Sequence, residues 1–546
     1  MKTYEVVANI VAEEGVTETF GLMGDGNMNL ITCLTEDMEL PFHTSRHEAV
    51  AVGMADGYAR LSGDVGFCTV TQGPGLTNAV TALVTARKAR SPLVLYVGDV
   101  PPSQEGWPQD IDHAALLSSI DVPVIELTDA QNVHQDVRRA FDLARSERRP
   151  VAINHAIDHQ KLEWEPWDVD IERPEVESPA PLAPSVADVA ALADLLADAK
   201  RPVIVAGRGA LQAREELIAL GDAIGAVMAT TLPARGLFED HAANVGLVGS
   251  LASNLGASLV GRADLVIAFG AALNDFTTMK KTFFSPSATI VRVDIESTAS
   301  RPNRLPVNLE VIGDAATTAA ALLDAVPGAA TGYRTPDVLT EIAGFSIDAE
   351  FTDRTDDEGM DPRTLMRALE RTLPTSRTIV TCVGHFFGFP AGYLSSEPGD
   401  RFVAAIDFGA VGAGLGVAIG ASIAEPDRLT VAFVGDGGLM MTLGDLDTAL
   451  RESRNLLIVV MNDSAYGSEL HMLREWKMDV AAAVFPPVSF EAVAGALGLR
   501  ATRVDEIGQL EAALSAIPPA VDGPLLVDCR ITTQVVADWL AGAFDH

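Results

Sequence analysis

The sequence predicts an α/β protein made of three doubly wound parallel-sheet domains. Three observations carry that expectation. Short apolar runs rich in β-branched residues, among them VGFCTV, SPLVLYVG, RPVIVAG, ADLVIAFG, ATIVRVDI, LTVAFVG and LLIVVMN, alternate with helix-length segments. Strands apolar on both faces are what a parallel sheet covered by helices on either side requires. At 546 residues the chain is also too long for a single core. Finally, two stretches break the alternation, residues 163 to 185 and 328 to 362, both rich in Pro or acidic residues and without sustained periodicity, as exposed linkers are. They set the expected domains at 1 to 165, 183 to 330 and 355 to 546.

The first and third units echo each other. VGFCTVTQGPGLTNAVTALVTARKARSPLVLYVGD and LTVAFVGDGGLMMTLGDLDTALRESRNLLIVVMND share a strand, a Gly-rich turn, a helix with a basic end and a second strand. Two similar domains are expected to flank a different middle one.

Composition narrows the function. With 48% hydrophobic residues the chain has ample material for buried sheets. A net charge of -36 repels phosphate backbones and anionic lipid, so neither nucleic acid nor a membrane surface is expected as a partner. Cys33, Cys68, Cys382 and Cys529 lie far apart, without metal-ligand spacing, and read as buried thiols. The opening MKTYEVVANIVAEEG carries acidic residues where a signal peptide needs an apolar run, which points to the cytoplasm. VAAIDFGAVGAGLGVAIGASIA contains Asp407 and many Gly and Ala residues, and reads as a tightly packed helix rather than a membrane span.

The chemistry is concentrated in VGDGGLMMTLGDLDTALRESRNLLIVVMNDSAYG, which begins at Val434. Gly435, Asp436 and Gly437 follow one strand, and Asn462, Asp463 and Ser464 follow the next, 26 positions after Asp436, the span of a helix and a returning strand. Ligands of parallel sheets bind outside the carboxyl ends of the strands, so both turns face one crevice. Gly435 and Gly437 let a diphosphate approach backbone amides at the helix start. A carboxylate and a side-chain amide at that mouth are hard oxygen ligands suited to Mg²⁺, to which a carbonyl near Ser464 adds.

This pairing resembles the thiamine diphosphate signature, in which a Gly-Asp-Gly is followed, after a helix and a strand, by an Asn-containing turn. The resemblance implies Asp436, Asn462 and the carbonyl of Ser464 as magnesium ligands, with Tyr466 beside the cofactor. It also implies a glutamate elsewhere that bonds the aminopyrimidine ring. HTSRHEAVAVGMADGYARLSG supplies Glu48 at the head of a small-residue helix. TQGPGLTNAV resembles the loop lining the pyrimidine side, giving Gly73 and Pro74 in the turn and Asn78 at the helix start. Gln109 stands where relatives carry an active-site glutamine, His385 where a polar residue meets the diphosphate, and Val411 where a bulky apolar residue holds the cofactor bent.

The whole chain is similar to the acetolactate synthase and pyruvate oxidase branch of these enzymes. That likeness implies a pyrimidine-binding, a middle and a diphosphate-binding domain, and a homodimer or homotetramer in which Glu48 of one chain serves the cofactor held by Asp436 of another. It implies a small 2-oxo acid or acyl substrate, decarboxylated and passed to a proton or a carbonyl acceptor. A lyase of 2-hydroxyacyl-CoA or oxalyl-CoA is the alternative; it needs a basic pocket in the middle domain, for which Arg208 and Arg235 are the candidates. The chain departs from acetolactate synthases in having Met472 in place of an acceptor-gripping tryptophan, with Glu469 and His471 on the approach, Glu469 as a substrate-site residue and His471 as a proton carrier. Being two apart on a helix, these two are expected to point in different directions. ALNDF at 272 to 276 replaces the arginine-flanked stretch of flavin-binding relatives, which weighs against FAD without excluding it.

Overall fold

The computed structural model describes residues 1–165, 180–297, 304–326, 328, 332–398, 401–515 and 523–541. Most of the expected first linker, and the domain ends set at 330 and 546, lie outside the described residues. Among the described residues, eighteen strands form three six-stranded sheets. The first comprises β1 (Thr19–Gly21), β2 (Phe42–Thr44), β3 (Gly66–Val70), β4 (Leu93–Asp99), β5 (Val124–Glu126) and β6 (Pro150–Ala156), in the order β2-β1-β3-β4-β6-β5. The second holds β7 (Pro202–Ala206), β8 (Val227–Thr230), β9 (Asn244–Leu247), β10 (Leu265–Phe269), β11 (Thr289–Asp294) and β12 (Leu309–Ile312), in the order β12-β11-β10-β7-β8-β9. The third holds β13 (Arg377–Thr381), β14 (Phe402–Ala404), β15 (Leu429–Gly435), β16 (Leu456–Asn462), β17 (Arg500–Val504) and β18 (Leu525–Arg530), in the order β14-β13-β15-β16-β18-β17.

Neighbouring strands within each sheet run parallel. The third sheet repeats the first strand for strand, so the sequence echo is an identity of topology. The middle sheet instead has the doubly wound order of dinucleotide-binding folds. All four cysteines are buried and free of disulfides.

The first and third units meet through two helices. Glu48–Ser62 crosses the Gly/Ala-rich helix Gly414–Ala424, the stretch read above as a packed helix, and no described helix is long and apolar enough to cross a membrane. Their contact uses glycine: a Cβ on Gly53 would stand 3.4 Å from the Gly416 backbone, and one on Gly57 or Gly420 would strike a backbone carbonyl of the facing helix. Only bare backbones let the helices approach so closely.

An ion triad fastens the same joint. His43 Nε2 lies 2.7 Å from Glu18 Oε2, and Nδ1 lies 2.8 Å from Glu452 Oε2 across the boundary. Both ring nitrogens face carboxylates, so both must donate. Burial alone would lower the pKa of His43, but hydrogen bonds and charge from Glu18 and Glu452 outweigh it and raise the pKa to about 9. A raised folded-state pKa gives stabilisation that is full below the unfolded-state value of about 6.5 and lost as pH rises through about 9. His43→Gln is therefore expected to melt below wild type at pH 6, with the two curves converging above pH 9, as followed by thermal denaturation across that range.

Candidate active site

In the third sheet the chain reverses direction across the sheet between β13 and β15, and a crevice opens there at the carboxyl ends. Three turns border it: His385 after β13, Gly435–Gly437 at the end of β15, and Asn462–Tyr466 at the end of β16. Glycine brings them together. A Cβ on Gly435 would come 2.8 Å from the Phe386 ring, and one on Gly437 would come 2.7 Å from the Tyr466 ring. Tyr466 is held in turn by an edge contact with Phe485, ring centroids 4.7 Å apart.

The carboxylate that Asp436 meets is Asp463. The two side chains stand against each other and are both only 8% exposed. Burial first, and for Asp463 the neighbouring Asp436 charge next, raises both above the usual carboxylate range. Two buried carboxyl groups sharing one place await either a proton or a cation.

Asn462, paired with Asp436 in the sequence reading, faces elsewhere. Its Nδ2 donates to Asp528 Oδ1 at 2.7 Å and to the Val488 carbonyl at 3.2 Å, and its Oδ1 accepts from Arg530 Nη1 at 2.7 Å. The Ser464 carbonyl accepts the Phe485 amide at 2.8 Å, and its Oγ accepts from Arg530. The structure thus spends the Asn462 amide within the sheet and gives Asp436 a different neighbour. The reason is alternation: successive residues leaving a strand turn to opposite sides.

His385 and His471 stack edge to face with centroids 4.8 Å apart, and His385 Nδ1 lies 3.8 Å from Asp463 Oδ2. Burial, then the neighbouring His471, drives the His385 pKa down to about 3; burial, then Arg474, drives that of His471 to about 4. Both rings are therefore uncharged near neutral pH. His471 points inward while Glu469 is exposed on the helix Gly467–Glu475, the divergence their spacing anticipates. Val411 lies against the Gly-Asp-Gly turn, its Cγ1 3.4 Å from where a Gly438 Cβ would stand.

On the first unit Glu48 is 9% exposed, and its Oε2 accepts from Asn78 Nδ2 at 3.0 Å. Gln109 Oε1 accepts from Gln72 Nε2 at 3.0 Å, and Gln72 also donates to Asp25 Oδ1 at 2.8 Å. Gly73 adopts φ +57°, with the Gln109 carbonyl packed where its Cβ would be, and Pro74 starts the helix Pro74–Ala89. So Glu48, Asn78, Gln72 and Gln109 gather at the carboxyl ends of the first sheet, while Asp436, His385, Val411 and Tyr466 gather at those of the third. The residues that sequence reading missed are Asp463 in its pairing, Arg530 and Asp528; only Asp463 carried a local signal, as the second half of Asn-Asp.

At the matching point of the middle sheet, between β7 and β10, the turns after the two strands pack glycine against glycine. A Cβ on Gly209 would come 2.8 Å from Gly270 Cα. Arg208 donates to the Ala89 carbonyl at 2.8 Å and to Asp407 Oδ1 at 2.7 Å, tying all three units together. Arg235 is buried, bonded to the Leu394 carbonyl and 4.0 Å from Glu239.

Comparison with known proteins matches three successive segments to thiamine pyrophosphate enzyme models: the N-terminal TPP binding domain at residues 1–116, the central domain at 189–322 and the C-terminal TPP binding domain at 383–529. The chain is 28% identical to acetolactate synthase 3, chloroplastic, of Brassica napus, over 96% of this chain and 83% of that protein. It is 29% identical to a probable acetolactate synthase large subunit of Methanocaldococcus jannaschii, over 87% and 82%. Its fold is that of the thiamine diphosphate-dependent 4-hydroxybenzoylformate decarboxylase of Rhodococcus jostii RHA1, with a TM-score of 0.82 at 21% identity, covering 97% of this chain and 99% of that one.

Proposed function

The chain belongs to the thiamine pyrophosphate enzyme family, and from that premise we propose a Mg²⁺-dependent enzyme that decarboxylates a 2-oxo acid and passes the acyl unit to a proton or a carbonyl acceptor. The observation that carries this reading is the buried Asp436–Asp463 pair between glycine turns. Its donor set fits the cofactor's metal: Mg²⁺ takes one or two carboxylates and fills its remaining positions with water and phosphate oxygens. That suits a protein in which, among the described residues, no group of three His, Cys, Asp or Glu side chains is arranged to hold a metal ion by itself. Asp436 and Asp463 would hold the cation, and the backbone around Gly435–Gly438 and His385 would meet the diphosphate. When bound, thiamine diphosphate supplies a nucleophilic carbon and an electron sink for loss of CO₂.

The protein's own groups do the rest. Glu48, fixed by Asn78, would exchange a proton with the aminopyrimidine ring. Val411 would wedge the cofactor, and Glu469 would border the substrate on the side a second copy covers. Gln109 would lie beside the same space, while His471 would brace His385 rather than carry protons, because it faces inward. Met472 in place of the gripping tryptophan favours release or a different acceptor over true acetolactate synthesis. The alternative CoA-thioester lyase gains no support from Arg208 or Arg235, both engaged within the protein. The ALNDF stretch at 272 to 276, in place of the arginine-flanked stretch of flavin-binding relatives, weighs against FAD.

The test is a panel of 2-oxo acids and 2-hydroxyacyl-CoA esters with thiamine diphosphate and Mg²⁺, recording CO₂ and carbonyl products. CO₂ from an oxo acid is expected, and the accompanying product separates simple release from carboligation. Carbonyl release from a thioester without CO₂ would move the protein to the lyase class.

A further inference from the structure

We propose that His113 is a positioning residue, which holds the Gly73–Pro74 turn through its ring and, by way of Asn78, sets the Glu48 carboxylate. The proposal deepens the reading above and rests on it. His113 is 2% exposed and begins the helix His113–Ser119. The Gly73 amide donates to its Nε2 at 3.0 Å. A backbone amide can only donate, so Nε2 must present a lone pair and the proton must sit on Nδ1. Nδ1 lies 2.9 Å from Asn154 Oδ1, which accepts that proton, and 3.5 Å from Asp99 Oδ1. Asn154 Nδ2 then donates to Asp99 Oδ2 at 2.6 Å and Glu126 Oε2 at 2.8 Å. The two carboxylates orient the amide, the amide orients the ring, and the ring presents one acceptor to Gly73. No link in that chain can reverse without setting donor against donor.

What the ring holds is a turn that needs holding. Gly73 sits at φ +57° and ψ -106°, with the Gln109 carbonyl packed against the side where a Cβ would stand. The turn is gripped from the other side by His113. Gly73 is the residue just before the helix Pro74–Ala89, and one turn into that helix Asn78 donates to Glu48 Oε2 at 3.0 Å. A turn free to relax would carry Asn78 with it and leave Glu48 without its partner. The sequence gives no hint of this role: His113 lies 40 residues from Gly73 and 41 from Asn154.

The test compares His113→Leu, which removes the acceptor, with His113→Gln, whose amide oxygen can stand where Nε2 stands. Two readouts are taken: hydrogen–deuterium exchange of the peptide spanning residues 70 to 76 in the unliganded protein, and the thiamine diphosphate Kd by calorimetry in the presence of Mg²⁺. In His113→Leu exchange of that peptide is expected to quicken, and Kd to weaken, each by about tenfold, the cost of one lost hydrogen bond. His113→Gln is expected to bring both back to within about threefold of wild type. Unchanged exchange and Kd in the leucine variant, or a glutamine variant as impaired as the leucine one, would overturn the proposal. If His113→Leu does not fold, His113→Asn, too short to reach Gly73, takes its place with the same expectations. A wild-type protein that binds no thiamine diphosphate would sink the functional reading, whereas the exchange measurement, made without ligand, still decides whether His113 holds the turn.

Discussion

Asp463→Ala is expected to weaken Mg²⁺-dependent binding of thiamine diphosphate by more than about 100-fold, and Asn462→Ala, one residue earlier, by no more than about threefold. The contrast follows from where each side chain goes. Asp463 shares its place with Asp436, so its removal takes away one of two anionic donors from a site that offers the cation few others. Asn462 is committed to Asp528, the Val488 carbonyl and Arg530. Losing it takes the partner from Asp528 Oδ1, on a carboxylate that is 1% exposed and keeps the Phe490 amide on its other oxygen, a cost of about 1–3 kcal/mol that appears as a lower melting temperature. Calorimetric titration and thermal denaturation of both variants separate the outcomes. Should the two exchange roles, the metal pair is Asp436 with Asn462, as the resemblance alone implies.

That contrast also shows where sequence reading runs out. The spacing of Gly-Asp-Gly and Asn-Asp is enough to bring both turns to one crevice, because strand, helix and strand have fixed lengths. It cannot say which of two adjacent residues turns inward, since that depends on the register of β16 with β18, where Asn462 pairs with Arg530. The residue that claims the Asn462 amide, Asp528, is 66 positions away. His471 shows the same limit: its place on a helix is legible, but its stacking on His385, from another turn, is not. The repeated topology of the first and third sheets is legible because apolar strands and a shared turn leave a local trace. The close packing of the turns after β7 and β10 is not, because Gly207, Gly209 and Gly270 read equally well as phosphate-binding glycines and as glycines packed on one another.

Glu48→Gln is expected to lower kcat by about 10²–10⁴-fold while changing the thiamine diphosphate Kd far less. Glutamine keeps the shape of the side chain and an oxygen for Asn78, but it can no longer take and return a proton. Pre-steady-state and steady-state kinetics beside calorimetry separate a lost proton acceptor from a lost binding contact. The same variant decides which chain Glu48 serves. Among the described residues of one chain Glu48 is bonded to Asn78 and Asp436 stands against Asp463, with no hydrogen bond joining the two groups. Beside the Gly-Asp-Gly turn Val411, Met440 and Met441 are 41%, 47% and 54% exposed, an apolar rim suited to a second copy. If the partner supplies Glu48, a hybrid dimer of Glu48→Gln and Asp463→Ala subunits carries both lesions in one site and neither in the other. Random reassociation of the two inactive proteins then restores about a quarter of wild-type activity. A mixture as inactive as its parents would mean that each chain uses its own Glu48, since every site would then carry one lesion.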